Sequence, residues 1–220
     1  MQLTFFTNIR WLSSTSIFNR TVKPGGYNKS KLPLIKKKDY EILYGLILGD
    51  LYISRKNSEN ALLKFEQSTV NKDYLKHLFN IFSYLCTEST VVRTKDVKIT
   101  NTSAVYFVTR QFAAITELHT LFYPKGIKVV PHNIGSLITA KSLAYWAMDD
   151  GERHKSGFIL NTCGFSLNDI QLLQAALKDN WDIDSSIHSR NRLYINSSSK
   201  SKFIELVKPH FYSTMLYKLN

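Results

Sequence analysis

Apolar and polar positions follow the same order twice along the chain, which indicates an internal repeat. The first unit starts with a nearly continuous apolar stretch, YEILYGLILG, typical of a buried helix, and continues with alternating and helically spaced segments. Its predicted elements are helix 40–49, strands 51–56 and 61–68, helix 71–85, strands 89–94 and 104–110, and a helix at about 111–122.

A proline- and glycine-containing segment, 124–131, marks a break, and a second unit follows it. Its predicted elements are helix 143–150, strand 157–163, helix 166–180 with Ser166 as N-cap, hairpin strands 183–189 and 192–196, and a closing helix 199–217 interrupted at Pro209. We therefore predict an α/β (α+β) protein of two pseudo-symmetric αββαββα halves, residues 39–135 and 136–220, after a basic leader, residues 1–38.

The first helix of each unit ends in aspartate. Aligned on that residue, LYGLILGDL matches LAYWAMDDG, so that Asp50 and Asp150 lie 100 residues apart. Small residues on two helices allow their backbones to approach closely, which would bring the helix ends together. The small residues expected at this helix–helix contact are Gly45, Gly49, Ala144 and Ala147.

Two carboxylates at helix C-termini repel each other and the negative ends of the helix dipoles, and a divalent cation between them would relieve that repulsion. Hard oxygen ligands suit Mg²⁺, which also binds phosphate oxygens, so the pair indicates metal-assisted phosphodiester hydrolysis. The alternative is that Asp50 and Asp150 are turn residues, with Gly151 as a helix C-cap.

The paired motifs resemble those of the LAGLIDADG homing endonucleases, especially the single-chain, two-motif members of mitochondrial introns. GLILGDLYI, KVVPHNI, SLAYWAMDDG, ILNTCGFS and LVKPHF…MLYKL are all similar to segments of that subgroup, over about residues 40–219. The resemblance implies a saddle of two antiparallel sheets with the motif helices packed at its centre. It also implies that Asp50 and Asp150 are catalytic metal ligands, one for each DNA strand, and that Lys128 and Lys218 lie near the metal.

Three of these assignments have alternatives or departures. Both lysines could be surface residues, which is the usual position of lysine. Asp149 is a weaker candidate ligand than Asp150, because its counterpart in the first motif is Gly49. Glu152 stands where a second glycine is frequent in the subgroup, and this extra acid could bind metal, repel phosphate or face solvent.

By the same resemblance, the sheet of each half lies in the major groove of DNA. Strand side chains alternate between faces, so every second strand residue can point at DNA. The basic candidates are Lys56, Lys64, Arg93, Lys95, Arg110, Arg153, Lys155, Arg190 and Arg192. The other candidates are Tyr52, Ser54, Glu66, Ser68, Asn161, His188 and Asn196. Each of them could equally be an ordinary exposed strand residue.

The formal net charge of +12 is concentrated at the N-terminus, because residues 1–38 hold eight basic residues and no acid, and the rest of the chain carries only +4. Residues 1–20 have the composition of a mitochondrial transit peptide, although an ordinary basic N-terminus is the alternative. Lys36-Lys37-Lys38 ends the leader either as a phosphate-binding clamp or as a solvated tail.

Composition excludes several other classes. A hydrophobic content of 44% is enough for a packed core, and no apolar run is long enough to span a membrane. Two cysteines exclude a disulfide scaffold, and the histidines show no zinc-site spacing with them. No glycine-rich nucleotide-binding motif occurs.

The favoured hypothesis is a monomeric, Mg²⁺-dependent mitochondrial endonuclease that cuts double-stranded DNA at a long recognition site. The alternative is a non-cleaving RNA-binding protein on the same fold, either an intron maturase or an organellar RNA-assembly factor, with structured intron or organellar RNA as its partner. A pure RNA binder has no need for both carboxylates, which favours the enzyme. The leader favours the alternative, since only a nuclear-encoded copy needs an import signal.

Overall fold

The structure, a computed structural model, describes residues 34–56, 58–97 and 102–220, all of which belong to one compact unit. The predictions for residues 1–33 of the leader lie outside this description. The helices are α1 (Lys37–Leu48), α2 (Lys72–Phe82), α3 (Ala113–Phe122), α4 (Ile134–Leu137), α5 (Ala140–Asp150), α6 (Leu167–Trp181) and α7 (Ser197–Val207). The strands are β1 (Tyr52–Ser54), β2 (Leu62–Ser68), β3 (Arg93–Val97), β4 (Thr102–Val108), β5 (Gly151–His154), β6 (Gly157–Leu160), β7 (Ser185–His188) and β8 (Arg192–Ile195).

The strands form two antiparallel four-stranded sheets with equivalent strand orders, β1-β2-β4-β3 and β5-β6-β8-β7. One face of each sheet packs on helices of the same half. Phe65 of β2 stacks on Phe107 of β4 at a centroid distance of 4.4 Å, and also packs against Phe82 of α2. Phe158 of β6 packs in the same way on Phe203 of α7, at 4.9 Å. The predicted α+β class, with two similar halves, is confirmed.

Helices α1 and α5 pack along each other and are buried over most of their length. α5 begins at residue 140, three residues before the predicted start, because Thr139 and Ser142 form a capping box. The Thr139 amide donates to Ser142 Oγ at 3.0 Å, and the Ser142 amide donates to Thr139 Oγ1 at 3.3 Å. α1 also begins early, so that Lys37 and Lys38, which were expected to end a linker, lie in its first turn.

The second half confirms two local predictions. Ser166 caps α6, because its Oγ accepts the amide of Asp169 at 3.2 Å while Asp169 Oδ2 accepts the Ser166 amide at 3.1 Å. The predicted hairpin joins β7 and β8 through Arg190 and Asn191, whose φ angles of 61° and 55° are those of a tight hairpin turn.

Three segments differ from the prediction. Strand β5 was missed as a strand because its sequence, GERH, has no apolar alternation. The strand expected at 89–94 begins only at Arg93, as β3. The preceding residues Thr87, Ser89 and Thr90 form a turn in which their hydroxyl groups are hydrogen-bonded to one another. The closing helix, α7, ends at Val207, and short 3₁₀ segments follow it. No helix in the described part of the chain has the length and apolarity needed to cross a membrane.

Candidate functional site

The C-terminal ends of α1 and α5 lie against each other because the helices meet at glycines. A Cβ atom on Gly45 would lie 2.0 Å from the backbone oxygen of Ser142, and one on Gly49 would lie 2.6 Å from the Cβ of Asp149. The Asp50 amide donates across this contact to Asp149 Oδ2 at 3.2 Å. The predicted glycines therefore lie at the closest approach of the helices, whereas Ala144 and Ala147 are fully buried on α5.

Each candidate metal-binding acid lines a separate pocket. The pocket of the first half, about 540 Å³, is lined by Asp50 together with residues of the first sheet. The pocket of the second half, about 390 Å³, is lined by Asp150 together with Glu152 and Lys218. Asp149 borders both pockets. The two openings thus each contain one of the two motif aspartates, Asp50 or Asp150.

Burial raises the pKa of both acids. Asp50 is an exposed residue, but the protein around its carboxyl group still removes water and raises its pKa, against the opposing charges of Lys218 and Lys128. The pKa of Asp150 is raised to about 7, first by burial and then by the charge of Asp50. The ends of the two helices therefore concentrate negative charge that the protein compensates only in part.

The two predicted lysines occupy equivalent positions in the two halves. Lys128 Nζ donates to the backbone oxygen of Gly49 at 2.7 Å, at the end of α1. Lys218 Nζ donates to the backbone oxygens of Met148 and Asp149 at 2.6 and 2.8 Å, at the end of α5. Burial lowers the pKa of both lysines, while the charges of the nearby aspartates oppose this effect. Each lysine thus places a cation at a negative helix end and beside the carboxylates.

Sequence reasoning missed one residue of this site and underrated another. Gln67 Nε2 lies 3.3 Å from Asp50 Oδ2 and 3.1 Å from Asp149 Oδ1, so its amide joins the two acids. The signal was a polar residue at a buried position of β2, in phase with Leu63 and Phe65. Asp149 is the underrated residue, and the charge of its carboxylate adds to burial in raising the pKa of the fully buried Tyr74.

The donor atoms at the helix ends fit a hard divalent cation. Asp50 and Asp150 offer carboxylate oxygens whose raised pKa values reflect uncompensated charge. Within the described residues, no group of three or more His, Cys, Asp or Glu side chains forms a complete metal cage. Few protein ligands are what Mg²⁺ uses when water and phosphate oxygens complete its shell, so the residues present suit this ion.

Three basic candidates of the first half share the open face of its sheet. Lys64 and Lys95 flank Glu66, with N···O distances of 2.6 and 2.7 Å. Arg93 is exposed and pairs with Tyr106 of β4, which itself pairs with Glu66, so Arg93 lies on the same face. This face combines three cations with one acid.

Two other first-half candidates lie outside the strands. Lys56 is exposed in the loop after β1. Arg110 follows the end of β4, where its amide donates to the Leu85 backbone oxygen at 2.9 Å and its guanidinium lies 5.2 Å from the Phe112 ring centroid. The expectation that Arg110 projects from a strand is therefore wrong, because β4 ends at Val108.

The second half departs further from the expected basic strand face. Arg153 pairs with Phe158, whose ring lies in the core, so Arg153 projects from the opposite face to Glu152. Lys155 and Arg190 lie in hairpin turns, with φ of 42° and 61°. None of these three is a residue of the open strand face, because β5 was missed in the prediction and Arg190 lies in the predicted hairpin turn itself.

The open face of the second sheet has an ion pair and an aromatic cluster. Arg192 lies 3.7 Å from Glu152, so the extra acid of the second motif faces a cation as well as its pocket. Next to this pair, His188 stacks on Tyr194 at a centroid distance of 4.4 Å, and His154 meets the same ring edge-on at 6.1 Å. The two sheets therefore share a topology but present different chemistry.

The chain is similar to members of a known protein family. A sequence profile of the LAGLIDADG DNA endonuclease family matches residues 40–203. The chain is 29% identical over 195 residues to a cytochrome b mRNA maturase of Debaryomyces hansenii, covering 84% of this chain and 74% of the relative. It is also 29% identical over 204 residues to a probable intron-encoded endonuclease of Wickerhamomyces canadensis, covering 87% of each protein.

A solved structure shows the same arrangement of elements. The fold is similar to that of the homing endonuclease I-WcaI bound to its DNA recognition sequence, with a TM-score of 0.76 and 26% sequence identity. The match covers 89% of this chain and 95% of that one.

Proposed function

Because the chain belongs to the LAGLIDADG DNA endonuclease family, we propose that it is a monomeric, divalent-metal-dependent endonuclease that cuts both strands of a long DNA site. The observation that carries this proposal is the position of Asp50 and Asp150 at the adjoining ends of two packed helices, each in its own pocket. The two relatives whose names describe an endonuclease, one of them bound to its DNA recognition sequence, support the choice of DNA.

The residues of the site have distinct roles in this reaction. Asp50 and Asp150 are the proposed ligands of Mg²⁺, which when bound supplies a more acidic water and stabilises the leaving oxygen. Lys128 and Lys218 hold the two helix ends and keep a positive charge beside the carboxylates, where they can also attract a DNA phosphate. Gln67 orients the Asp50 carboxylate through its amide.

DNA is proposed to lie across the open faces of the two sheets. In the first half, Lys64, Arg93 and Lys95 face the nucleic acid, and Glu66 holds two of them in place. Lysine and arginine contact phosphates, and arginine also reads guanine in the major groove. In the second half, the turn residues Lys155 and Arg190 reach the backbone from the hairpin tips.

A second candidate function is RNA binding. The relative from Debaryomyces hansenii, which aligns over most of this chain, is named as an mRNA maturase. The same basic face would attract structured RNA. The endonuclease remains the first proposal because neighbouring acids with raised pKa values cluster at catalytic sites.

The proposed location is the mitochondrion, which rests on the leader composition of residues 1–20. The monomeric state rests on the presence of both motifs in one chain. Sedimentation of the full chain should therefore give a single species of about the chain mass, 25.4 kDa.

The test is cleavage of a randomised double-stranded DNA library by the full chain in Mg²⁺, with sequencing of the ends produced. We expect ends clustered at one long site and their loss in Asp50→Asn, while the exposed acid variant Asp179→Asn behaves as wild type. Absence of cleavage in Mg²⁺ and Mn²⁺, or undiminished cleavage by Asp50→Asn, would exclude the enzyme. Binding of structured intron RNA that survives Asp150→Asn, without any DNA cleavage, would establish the RNA function instead.

A further inference from the structure

The two motifs differ at the residue before the proposed metal-binding acid, which is Gly49 at the C-cap of α1 and Asp149 in α5. The Asp149 side chain crosses the helix interface and lies on Gly49, where an added Cβ would come within 2.8 Å of Asp149 Oδ2. Since the two positions face each other, only one of them has room for a side chain. The site therefore has room for a third aspartate but not for a fourth.

Both oxygens of Asp149 accept hydrogen bonds from groups that position Asp50. Oδ2 accepts the Asp50 amide at 3.2 Å, and Oδ1 accepts Gln67 Nε2 at 3.1 Å. The same Gln67 nitrogen lies 3.3 Å from the Asp50 carboxylate. We call this set of three residues, Asp149 with Asp50 and Gln67, the Asp149 bridge.

Asp150 has no equivalent support. Its backbone oxygen accepts the amide and Nδ2 of Asn161 at 3.0 and 3.1 Å, which holds the main chain at the end of α5. Within the residues that the structure describes, no donor is hydrogen-bonded to the Asp150 carboxylate. One acid of the pair is therefore held by its backbone and its side chain, and the other by its backbone alone.

We propose that Asp149 is a positioning residue that acts through the Asp149 bridge on Asp50, and so supports cleavage of one DNA strand more than the other. This inference rests on the proposed function, in which each of the two acids serves one strand. The two hydrogen bonds that Asp149 accepts limit the movement of Asp50 and Gln67. Small misplacements at a reacting centre slow a reaction strongly. Asp149 acts through these hydrogen bonds and is not proposed as a metal ligand.

The first test measures each strand separately on the target site, with differently labelled strands, for wild type, Asp149→Ala and Asp149→Asn. We expect Asp149→Ala to slow one strand by about tenfold or more relative to the other. Asp149→Asn, which keeps the shape and one acceptor, should recover part of the loss. Asp179→Ala is the control for loss of an exposed acid. Equal slowing of both strands, or no slowing, would overturn the proposal.

The second test needs no cleavage and so separates this inference from the proposed function. Amide hydrogen exchange in the free protein should show the Asp50 amide losing at least about tenfold in protection in Asp149→Ala. The amide of Leu51, which donates to Leu46 at 2.9 Å, should keep its protection. Unchanged Asp50 protection overturns the bridge even if the enzyme is active. If Asp149→Ala does not fold, Asp149→Asn must shift the Asp50 amide resonance, because the amide then meets a carboxamide group in place of the Asp149 carboxyl group.

Discussion

The two halves have the same strand order and the same motif helix, yet they hold their acids differently. In the first half, Asp50 follows a glycine and is supported by Gln67 and by the side chain of Asp149. In the second half, Asp150 follows an acid, and the pKa of its own carboxyl is raised to about 7. A repeated fold therefore gives two similar places for an acid, and the residues around each place decide how firmly the acid is held.

The sheets differ in the same manner. The first sheet presents an exposed network in which Lys64 and Lys95 flank Glu66. The second presents a stacked pair, His188 and Tyr194, and a single longer ion pair. We expect the first half to contribute more of the salt-dependent affinity for nucleic acid, since phosphate neutralisation by cations is the salt-dependent part of binding.

The largest expected effect comes from removing either acid. Asp50→Asn and Asp150→Asn should each lower the rate of double-strand cleavage by at least about a thousandfold, because each removes a ligand of the ion that stabilises the reacting charge. Single-turnover cleavage of the target in Mg²⁺ measures this loss, and DNA affinity in Ca²⁺ should change little. A variant that keeps a tenth of the wild-type rate would show that the halves are not both needed.

The lysines should follow with a smaller effect. Lys128→Met and Lys218→Met should each slow cleavage by about tenfold to a hundredfold, because a cation beside the carboxylates is lost. Lys218→Met should also lower the melting temperature more than Lys128→Met, since Lys218 bonds two helix-end oxygens and Lys128 bonds one. Cleavage rates and thermal unfolding check both statements against the exposed Lys125→Met, and wild-type rates in both variants would contradict them.

The contact between the halves can be tested through stability. Gly45→Ala should lower the free energy of unfolding by about 1–3 kcal/mol, because its Cβ meets a backbone oxygen that cannot rotate away. Gly164→Ala is the matched control, since an added Cβ there has nothing within 4 Å. Urea unfolding of both variants gives the comparison. Equal stability would mean that the helices are not held at the distance described.

The smallest expected effect is the contribution of Asp150 to the pH dependence of stability. The folded-state pKa of Asp150 is raised from 3.8 to about 7, so its ionised form is disfavoured in the native protein. Stability therefore rises as pH falls through 7 toward the unfolded-state value, by about 1 kcal/mol between pH 8 and pH 6. Melting of the metal-free protein should show Asp150→Asn more stable than wild type at pH 8, with a smaller difference at pH 6. A difference that does not change with pH would contradict the raised pKa.

Periodicity and spacing in the sequence were enough to predict the α+β class, the repeated element order and the pair Asp50 and Asp150. Local signals also worked where one side chain decides the outcome, as for Ser166 at the start of α6. Strand β5 could not be predicted in this way, because charged residues form it only when paired with β6. The same dependence on pairing explains why Arg153 was assigned to the wrong face.

The Asp149 bridge lay beyond sequence reasoning for a different reason. Alignment of the motifs compares Asp149 with Gly49 and so suggests that the acid is dispensable. In the folded chain the two residues face each other across the helix interface, and the glycine provides the space that the acid occupies. Such a contact between equivalent positions that carry different residues appears only when both helices are placed together. The polar residue Gln67 at a buried strand position could be detected from the sequence, but its hydrogen-bond partners could not.

The most direct test of the central claim is the position of a bound divalent ion. Crystals of the wild-type chain with its target DNA and Mn²⁺ give anomalous difference peaks that locate the metal. The account predicts peaks at about 2.0–2.6 Å from carboxylate oxygens of Asp50 and Asp150, beside the scissile phosphates. Peaks that contact neither aspartate, for example at Glu66 or Glu152 alone, would contradict it.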